Sequence, residues 1–423
     1  MAADGEPLVI VSADCHIGPR LVEELRARCP ARLLDRFDAY VADATSSRGR
    51  YVPQPEDEGD EAPRWRNRRT AGHHDPAARR RDLDFEGIAA EVIFHGSQND
   101  EPIPFQTSML GPPADPELAA AGIRIYNEWL ADVCAQAPER HVGLAHLPLW
   151  DLPASIDELE WAASAGLRGV NFPAPRPWLT PYNHGDWEPF WTAATELGLP
   201  LTTHAGAGEP ALYAGPELTA LMSIESGGWF SRRAAHILAF AGVFERHPGL
   251  RLVLTEQPGR WWPYLCEELD SVHRANAGDP ALMRQVPERP SCYLGRQVYI
   301  GASFLSRAEA DDALVHGYLD RLMWGADYPH MEGTFQYPGT DDFTDQPSYT
   351  ALSLRFALAG FDKDTVRAVV GGTAASVYGL DATALAAVAT AIGAPTFAEI
   401  SEPLDAVPAG ASAFAFRTFG PWA

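Results

Sequence analysis

Asp14-Cys15-His16 puts a carboxylate and an imidazole two residues apart, directly after the apolar run Val9-Ile10-Val11-Ser12-Ala13. Alternate residues of an extended chain share a side, so Asp14 and His16 can face one point and bind one ion. Three more apolar runs end on groups of the same kind. Leu199-Pro200-Leu201-Thr202-Thr203 leads into His204, Leu252-Val253-Leu254-Thr255 into Glu256, and Leu322-Met323-Trp324 into Gly325-Ala326-Asp327-Tyr328-Pro329-His330. A carboxylate at the end of an apolar strand is costly to bury unless it is paired or bound. Singly, each group has an ordinary reading: a turn-forming Asp327, a helix-start Asp14 with a surface His16, a loop His204, a turn-bracing His330. Jointly, six such groups at strand ends describe a metal or acid/base site. Three carboxylates with three neutral imidazoles carry −3, so one divalent ion leaves −1 and two leave +1, which a bridging hydroxide would neutralise. Glu256, with its two oxygens, suits a bridge. Mixed carboxylate and imidazole donors without thiolate fit iron, manganese or zinc.

Such a site needs a scaffold that gathers strand ends. Eight short apolar strands are predicted: Leu8–Ser12, Glu91–Phe94, Val142–Leu147, Gly169–Phe172, Leu199–Thr203, Arg251–Glu256, Gln297–Ile300 and Arg321–Trp324. Helical patterns separate them. Glu117–Ala137 carries Ile123, Tyr126, Trp129, Leu130 and Val133 at helical spacing, and Phe230–Arg246 reads as a single helix. Short apolar strands alternating with helices suit a parallel sheet covered on both faces. Eight such units predict an α/β fold, a TIM (β/α)8 barrel, whose functional groups sit at the C-terminal strand ends. An open doubly wound sheet is the alternative, but the Gly-rich turn expected after its first strand is missing. The barrel is assigned to residues 1–380. Residues 45–80 form a polar insertion of a length typical of lids and mobile loops. Residues 381–423 are a C-terminal extension, in which Ala382–Ala394 predicts a surface or capping helix.

The 423 residues are 46% apolar and 21% charged, enough for a large core, and the formal charge is −24. That balance opposes nucleic acid and anionic membrane surfaces as partners and leaves a small molecule as the expected one. No run approaches the ~20 apolar residues of a membrane span, and the N-terminus lacks a signal-peptide pattern. Five widely spaced cysteines without a CxxC predict no disulfide framework and a cytoplasmic setting. Cys15, between two candidate ligands, should point into the barrel wall. His95 can reach the mouth, whereas His73 and His74 in the polar insertion are expected in solvent. Trp229-Phe230 and Trp261-Trp262 are candidates for an apolar pocket or for packing.

Ser12–His16, Glu91–Phe94, Tyr126–Leu130, Ala137–Arg140, Gly166–Asn171, Leu199–His204, His247–Arg251, Trp324–His330 and Gly371–Leu380 together resemble the amidohydrolase-related family. The branch resembled includes aminocarboxymuconate semialdehyde decarboxylase. The resemblance implies a distorted TIM barrel with metal at the strand mouths. The chain departs from that pattern where Asp14-Cys15-His16 replaces His-x-His and where Glu256 stands in place of a catalytic histidine. In those departures it resembles a branch of dinuclear non-heme iron or iron–manganese monooxygenases. This implies two divalent ions, iron foremost with manganese or zinc as alternatives, held by Asp14, His16, His204, Glu256, Asp327 and His330. Glu256 and Asp327 would be the catalytic groups, and an electron donor would support hydroxylation of a C–H bond in a small organic or natural-product intermediate. The alternative is a mononuclear zinc or manganese hydrolase or non-oxidative decarboxylase with Asp327 or Glu256 as base. A catalytically silent subunit shaping a partner's site is a third reading, and a homo-oligomer fits each of them.

Overall fold

Eight strands lie side by side in chain order: β1 (Val11–Ile17), β2 (Ala90–His95), β3 (His141–Ala145), β4 (Gly169–Asn171), β5 (Leu201–His204), β6 (Leu252–Thr255), β7 (Val298–Ser303) and β8 (Leu322–Gly325). Each neighbouring pair is parallel. The computed structural model describes residues 5–47, 66–106, 111–205, 215, 220–221, 224–225, 228–257, 259–344, 346–408 and 413–417. The sheet closes beyond β8, where His16 donates its backbone N–H to Tyr328 O at 2.6 Å and Asp327 donates to Asp14 O at 2.8 Å. Eight parallel strands closed this way, with helices outside, form the expected TIM barrel.

Two apolar layers hold it. Val11, Val92, Val142, Leu144, Val253 and Met323 fill the barrel interior and share one cluster with Leu385 and Ala389 of the helix Ala382–Ile392. Leu8 N–H donates to Pro395 O at 2.8 Å, which ties the entry to β1 to the residues after that helix. The larger cluster lies between strands and outer helices; the helix Pro116–Ala135 gives it Ile125, Tyr126, Trp129, Leu130 and Val133. No described helix is long and apolar enough to cross a membrane. All five cysteines are free thiols.

Strand placement differs from the sequence reading in one useful way. β1 does not stop before Asp14 but runs through it to Ile17, with a register shift between Ser12 and Cys15. Such an irregularity re-aims side chains at a barrel rim. Ser12 Oγ supports it by donating to Asp14 O at 2.7 Å. Cys15 is buried in the outer cluster, as its position between two rim residues predicts. The expected helix Phe230–Arg246 is two helices, Trp229–Phe240 and Val243–Arg246, because Gly242 takes a left-handed φ of 68° between them.

The polar insertion divides. Residues 48–65 lie outside the described residues. Residues 66–80 are packed against the barrel mouth, where the sequence predicts a polar insertion with the length of a lid or mobile loop. Gly18 N–H donates to His73 O at 2.8 Å. Arg79 is fully buried, pairing with Glu91 at 2.5 Å and donating to His16 O at 2.6 Å. A run rich in arginine reads as solvent-facing, but this arginine has a buried acid on β2 to neutralise it.

Candidate metal centre

β1 supplies Asp14 and His16, the last residue of β5 is His204, and the turn after β8 supplies Asp327 and His330. Each imidazole spends one nitrogen on a backbone carbonyl. His16 Nδ1 donates to His95 O at 3.1 Å, His204 Nδ1 to Ala205 O at 2.7 Å, and His330 Nε2 to Gly96 O at 2.7 Å. A carbonyl only accepts, so the other nitrogen of each neutral ring is a bare lone pair. Those lone pairs face carboxylates. His16 Nε2 lies 3.3 Å from Asp14 Oδ1 and 3.1 Å from Asp327 Oδ1. His204 Nε2 is 3.3 Å from Asp14 Oδ1, and His330 Nδ1 is 3.0 Å from Asp327 Oδ1. His16 Nε2 and both Asp327 oxygens are buried without a well-directed hydrogen bond.

Acceptors facing acceptors repel unless positive charge lies between them. Donors that each sit roughly 2.1 Å from one ion are about 3.0–3.4 Å apart as neighbours, and the observed separations fall in that interval. The residues present therefore fit a divalent ion. They make two overlapping groups, Asp14-His16-His204 and His16-Asp327-His330, which share His16. A single ion placed against the one lone pair of His16 Nε2 would meet donors of both groups. Glu256 belongs to neither group. Its Oε2 is 3.6 Å from His204 Nδ1, the nitrogen already given to Ala205 O. Glu256 is thus not brought into either described donor group, and those groups do not supply the two-ion arrangement with Glu256 as bridge.

The electrostatics agree. Burial alone would lower His204 and His330, but the Asp14 and Asp327 carboxylates override it and push each up to about 10. Burial would raise Asp14, yet the positive charge that His204 carries without a metal holds it well below the usual carboxylate range. Glu256 is pushed up to about 8, first by burial and then by Asp327, Asp14 and Glu332, against the pull of His204. A pocket that holds protons this firmly without a metal is one that favours a cation.

Backbone geometry aims these groups. Glu256 and Asp327 both adopt left-handed φ, 53° and 54°. Gly325 permits the closest approach: a Cβ there would meet Asp14 Cβ at 2.8 Å and Ser303 Oγ at 2.9 Å. Ser303, at the end of β7, donates to Asp14 Oδ2 at 2.5 Å. Asn67 braces the His330 turn, donating from Nδ2 to His330 O at 3.1 Å and to Phe335 O at 2.8 Å. His73 is 2% exposed and bonds Asn67 O at 2.9 Å and Ser97 Oγ at 3.0 Å, so it is a buried brace and not the solvated side chain expected. His74 is half-buried.

A cavity of about 330 Å³ opens onto His16, His204 and His330. Its walls include Phe94, Trp150, Trp178, Leu179, Asn171, Arg176, His95 and His146. His95 does reach the mouth, as its strand-end position suggests. Burial lowers it to about 4 and His146 to about 3. Of the aromatic pairs singled out in sequence, Trp261, Trp262 and Phe230 do not line this cavity: Trp261 and Trp262 pack on each other at 5.8 Å, and Phe230 lies beneath Arg176 and Arg233. The side chain of Trp229 is outside the described residues. Trp150, Trp178, Arg176, Ser303 and Asn67 escaped the sequence reading; Trp150 and Arg176 lie just beyond predicted strands three and four, where a barrel mouth would place them.

The amidohydrolase family profile matches residues 14–380. The gamma-resorcylate decarboxylase of Rhizobium sp. (strain MTP-10005) is 27% identical over 221 residues, which cover 48% of this chain and 64% of that protein. The gamma-resorcylate decarboxylase of Polaromonas sp. (strain JS666) is 26% identical over 233 residues, 51% of this chain and 68% of that one. This chain therefore spans a little under two thirds of the Rhizobium protein's length. Among solved structures, 5-carboxyvanillate decarboxylase from Sphingomonas paucimobilis superposes with a TM-score of 0.58 at 18% identity, covering 88% of this chain and 100% of that one. The Novosphingobium aromaticivorans 5-carboxyvanillate decarboxylase, solved with manganese and 3-methoxy-4-hydroxy-5-nitrobenzoic acid, superposes at 0.61 with 17% identity, covering 88% and 97%. At such identities the superpositions speak to fold, while the profile match runs through every candidate ligand from Asp14 to His330: the chain belongs to the amidohydrolase family.

Proposed function

We propose that this chain is a metal-dependent, non-oxidative decarboxylase acting on a small aromatic carboxylic acid. The observation that carries the reading is one cavity in which a buried set of cation-seeking donors, an aromatic wall and an arginine meet. The relatives named as decarboxylases of aromatic acids support it, and they favour this reading over the oxygenase one.

Asp14, His16, His204, Asp327 and His330 would hold the ion. When bound, it would supply a Lewis acid for anionic substrate oxygens. Phe94, Trp150 and Trp178 would hold a flat ring, and Arg176 would bind an anionic substituent by a charge-assisted hydrogen bond. Decarboxylation breaks the bond between ring carbon and carboxylate carbon. The electron pair stays on the ring carbon and takes a proton there, so a carboxylate and a proton become an arene and carbon dioxide without an oxidant. Glu256, 3.6 Å from His204 Nδ1, would supply that proton as the general acid.

A second reading, a dinuclear iron monooxygenase, is favoured by one observation: Glu256 occupies the position where the family pattern has a histidine. One experiment separates the two. Manganese- and iron-loaded protein is incubated under argon and under air with hydroxylated benzoic acids, including gamma-resorcylate and 5-carboxyvanillate. Equal carbon dioxide release in both atmospheres is expected. Oxygen uptake with a hydroxylated product, and none under argon, would replace the proposal with the oxygenase reading.

A further inference from the structure

Two imidazoles in the cavity wall belong to neither ligand group. His95 ends β2 and His146 follows β3. Their rings stand 6.0 Å apart at 90°. Tyr126 holds both, with ring contacts of 5.2 Å to His95 and 5.3 Å to His146, each close to perpendicular. Asn127 fixes the His146 backbone in both directions, donating to His146 O at 2.8 Å and accepting from His146 N–H at 3.0 Å.

Each ring has one nitrogen committed, and the two commitments are opposite. His95 Nε2 meets Glu101 O at 3.0 Å. A carbonyl only accepts, so this nitrogen carries the proton and Nδ1 of His95 is bare. His146 Nε2 meets Asn171 Nδ2 at 3.0 Å. An amide nitrogen only donates, so this nitrogen is bare and Nδ1 of His146 carries the proton. Among the described residues, no carboxylate contacts either ring and neither Nδ1 makes a hydrogen bond. The wall of the cavity thus holds one unused acceptor and one unused donor.

We propose that His95 and His146 form a donor–acceptor pair that reads a hydroxyl group on the substrate, making them specificity-determining residues. This rests on the decarboxylase reading for the class of ring acid in the cavity. A hydroxyl serves both partners at once: its proton goes to His95 Nδ1 and its lone pair accepts from His146 Nδ1–H. A methoxy group can only accept, and a ring hydrogen does neither, leaving desolvated polar atoms unpaired. Asn171 sets the direction of the pair. With aspartate in its place, Nε2 of His146 would become the donor, the ring would change tautomer, and the wall would present two acceptors.

The test is equilibrium binding, read by tryptophan fluorescence, of benzoate and its hydroxy, methoxy and amino isomers to the manganese-loaded full chain. The best hydroxybenzoate is expected to bind at least about tenfold more tightly than benzoate and than its own methoxy analogue. His95→Phe and His146→Phe should each reduce that preference to under about threefold. Asn171→Asp should shift the preference from hydroxy to amino isomers. If benzoates bind without hydroxyl preference in the unsubstituted protein, or if both phenylalanine variants retain it, the pair does not read the substrate and the decarboxylase reading is untouched. If no benzoate binds, the substrate class fails and this inference fails with it. The ligand series on the unsubstituted protein decides the first point without any variant having to fold.

Discussion

Asp327 donates its backbone N–H to the carbonyl oxygen of Asp14 at 2.8 Å. That bond fastens the mouth of β8 to the mouth of β1, so both aspartates of the candidate centre come from the seam where the barrel closes. The seam is tight because residue 325 has no side chain. Gly325→Ala would drive a methyl group against Asp14 Cβ and Ser303 Oγ. Overpacking of this kind costs about 1–3 kcal/mol. We expect a folded protein by circular dichroism whose manganese affinity, measured by chelator competition, falls at least about tenfold.

Asp327→Asn removes the charge and keeps the shape. Asparagine tolerates the left-handed backbone at this position, so the fold should persist. Loss of metal affinity should exceed the about 10- to 100-fold typical of groups that only support a ligand. Metal content after dialysis is the measurement, and an unchanged content would remove Asp327 from the ligand set.

Metal uptake should release protons. His204 and His330 sit at about 10 without metal and Glu256 at about 8, so all three carry protons at neutral pH and an ion must displace those on the two imidazoles. Calorimetry at pH 7 in buffers of differing ionisation enthalpy should show more than one proton released per ion. The sign for stability follows. These folded-state values lie above the unfolded ones, near 6.5 for histidine and 4.3 for glutamate. The metal-free protein therefore keeps their stabilisation below those values and loses it as pH rises through about 8 for Glu256 and about 10 for the histidines. The gap in melting temperature between manganese-loaded and metal-free protein should widen from pH 6 to pH 10.

Arg176→Ala should weaken binding of aromatic carboxylates by roughly 10- to 150-fold, the equivalent of about 1.5–3 kcal/mol for a hydrogen bond to a charged group. Arg176→Lys should recover only part of this, since the planar fork is lost. The loss should appear in KM more than in kcat. Equal losses in kcat and kcat/KM would place Arg176 at the transition state instead.

Arg417, far along the C-terminal extension, is 4% exposed; it pairs with Glu309 and donates to Phe304 O. Glu309 in turn accepts the backbone N–H of Gly259, three residues beyond Glu256. Breaking a buried pair from one side costs about 3–5 kcal/mol. Arg417→Ala should therefore lower denaturant stability by that order, and Arg417→Met with Glu309→Gln should recover most of it.

The barrel was legible because each strand is a short apolar run ending on a polar group, and all eight predicted runs overlap observed strands. Asp14, His16, His204, Asp327 and His330 were legible for the same reason, as polar groups at the ends of apolar strands. Glu256 was located by the same logic, but its distance from the other donors depends on how the β6 turn faces, and no spacing rule reports that. Asn67, His73 and Arg79 were hidden by composition. They sit among charges, and only the tertiary partners Tyr337, Ser97 and Glu91 make them interior residues. The cavity wall was missed for another reason: Trp150, Trp178 and Arg176 follow strands three and four, which carry no ligand and so drew no attention to their loops.

The left-handed backbone at Glu256 and Asp327 has a cost that falls on the whole molecule. A residue with a side chain in that conformation is disfavoured by about 1–2 kcal/mol, a penalty glycine escapes. Glu256→Gly would relieve it, whereas Asp327→Gly would also remove the carboxylate that raises His330, so a gain in thermal tolerance is expected at Glu256, the proposed proton donor, and not at Asp327. Screening variants for heat resistance alone would therefore select against the site, and activity would have to be scored alongside melting temperature to keep it.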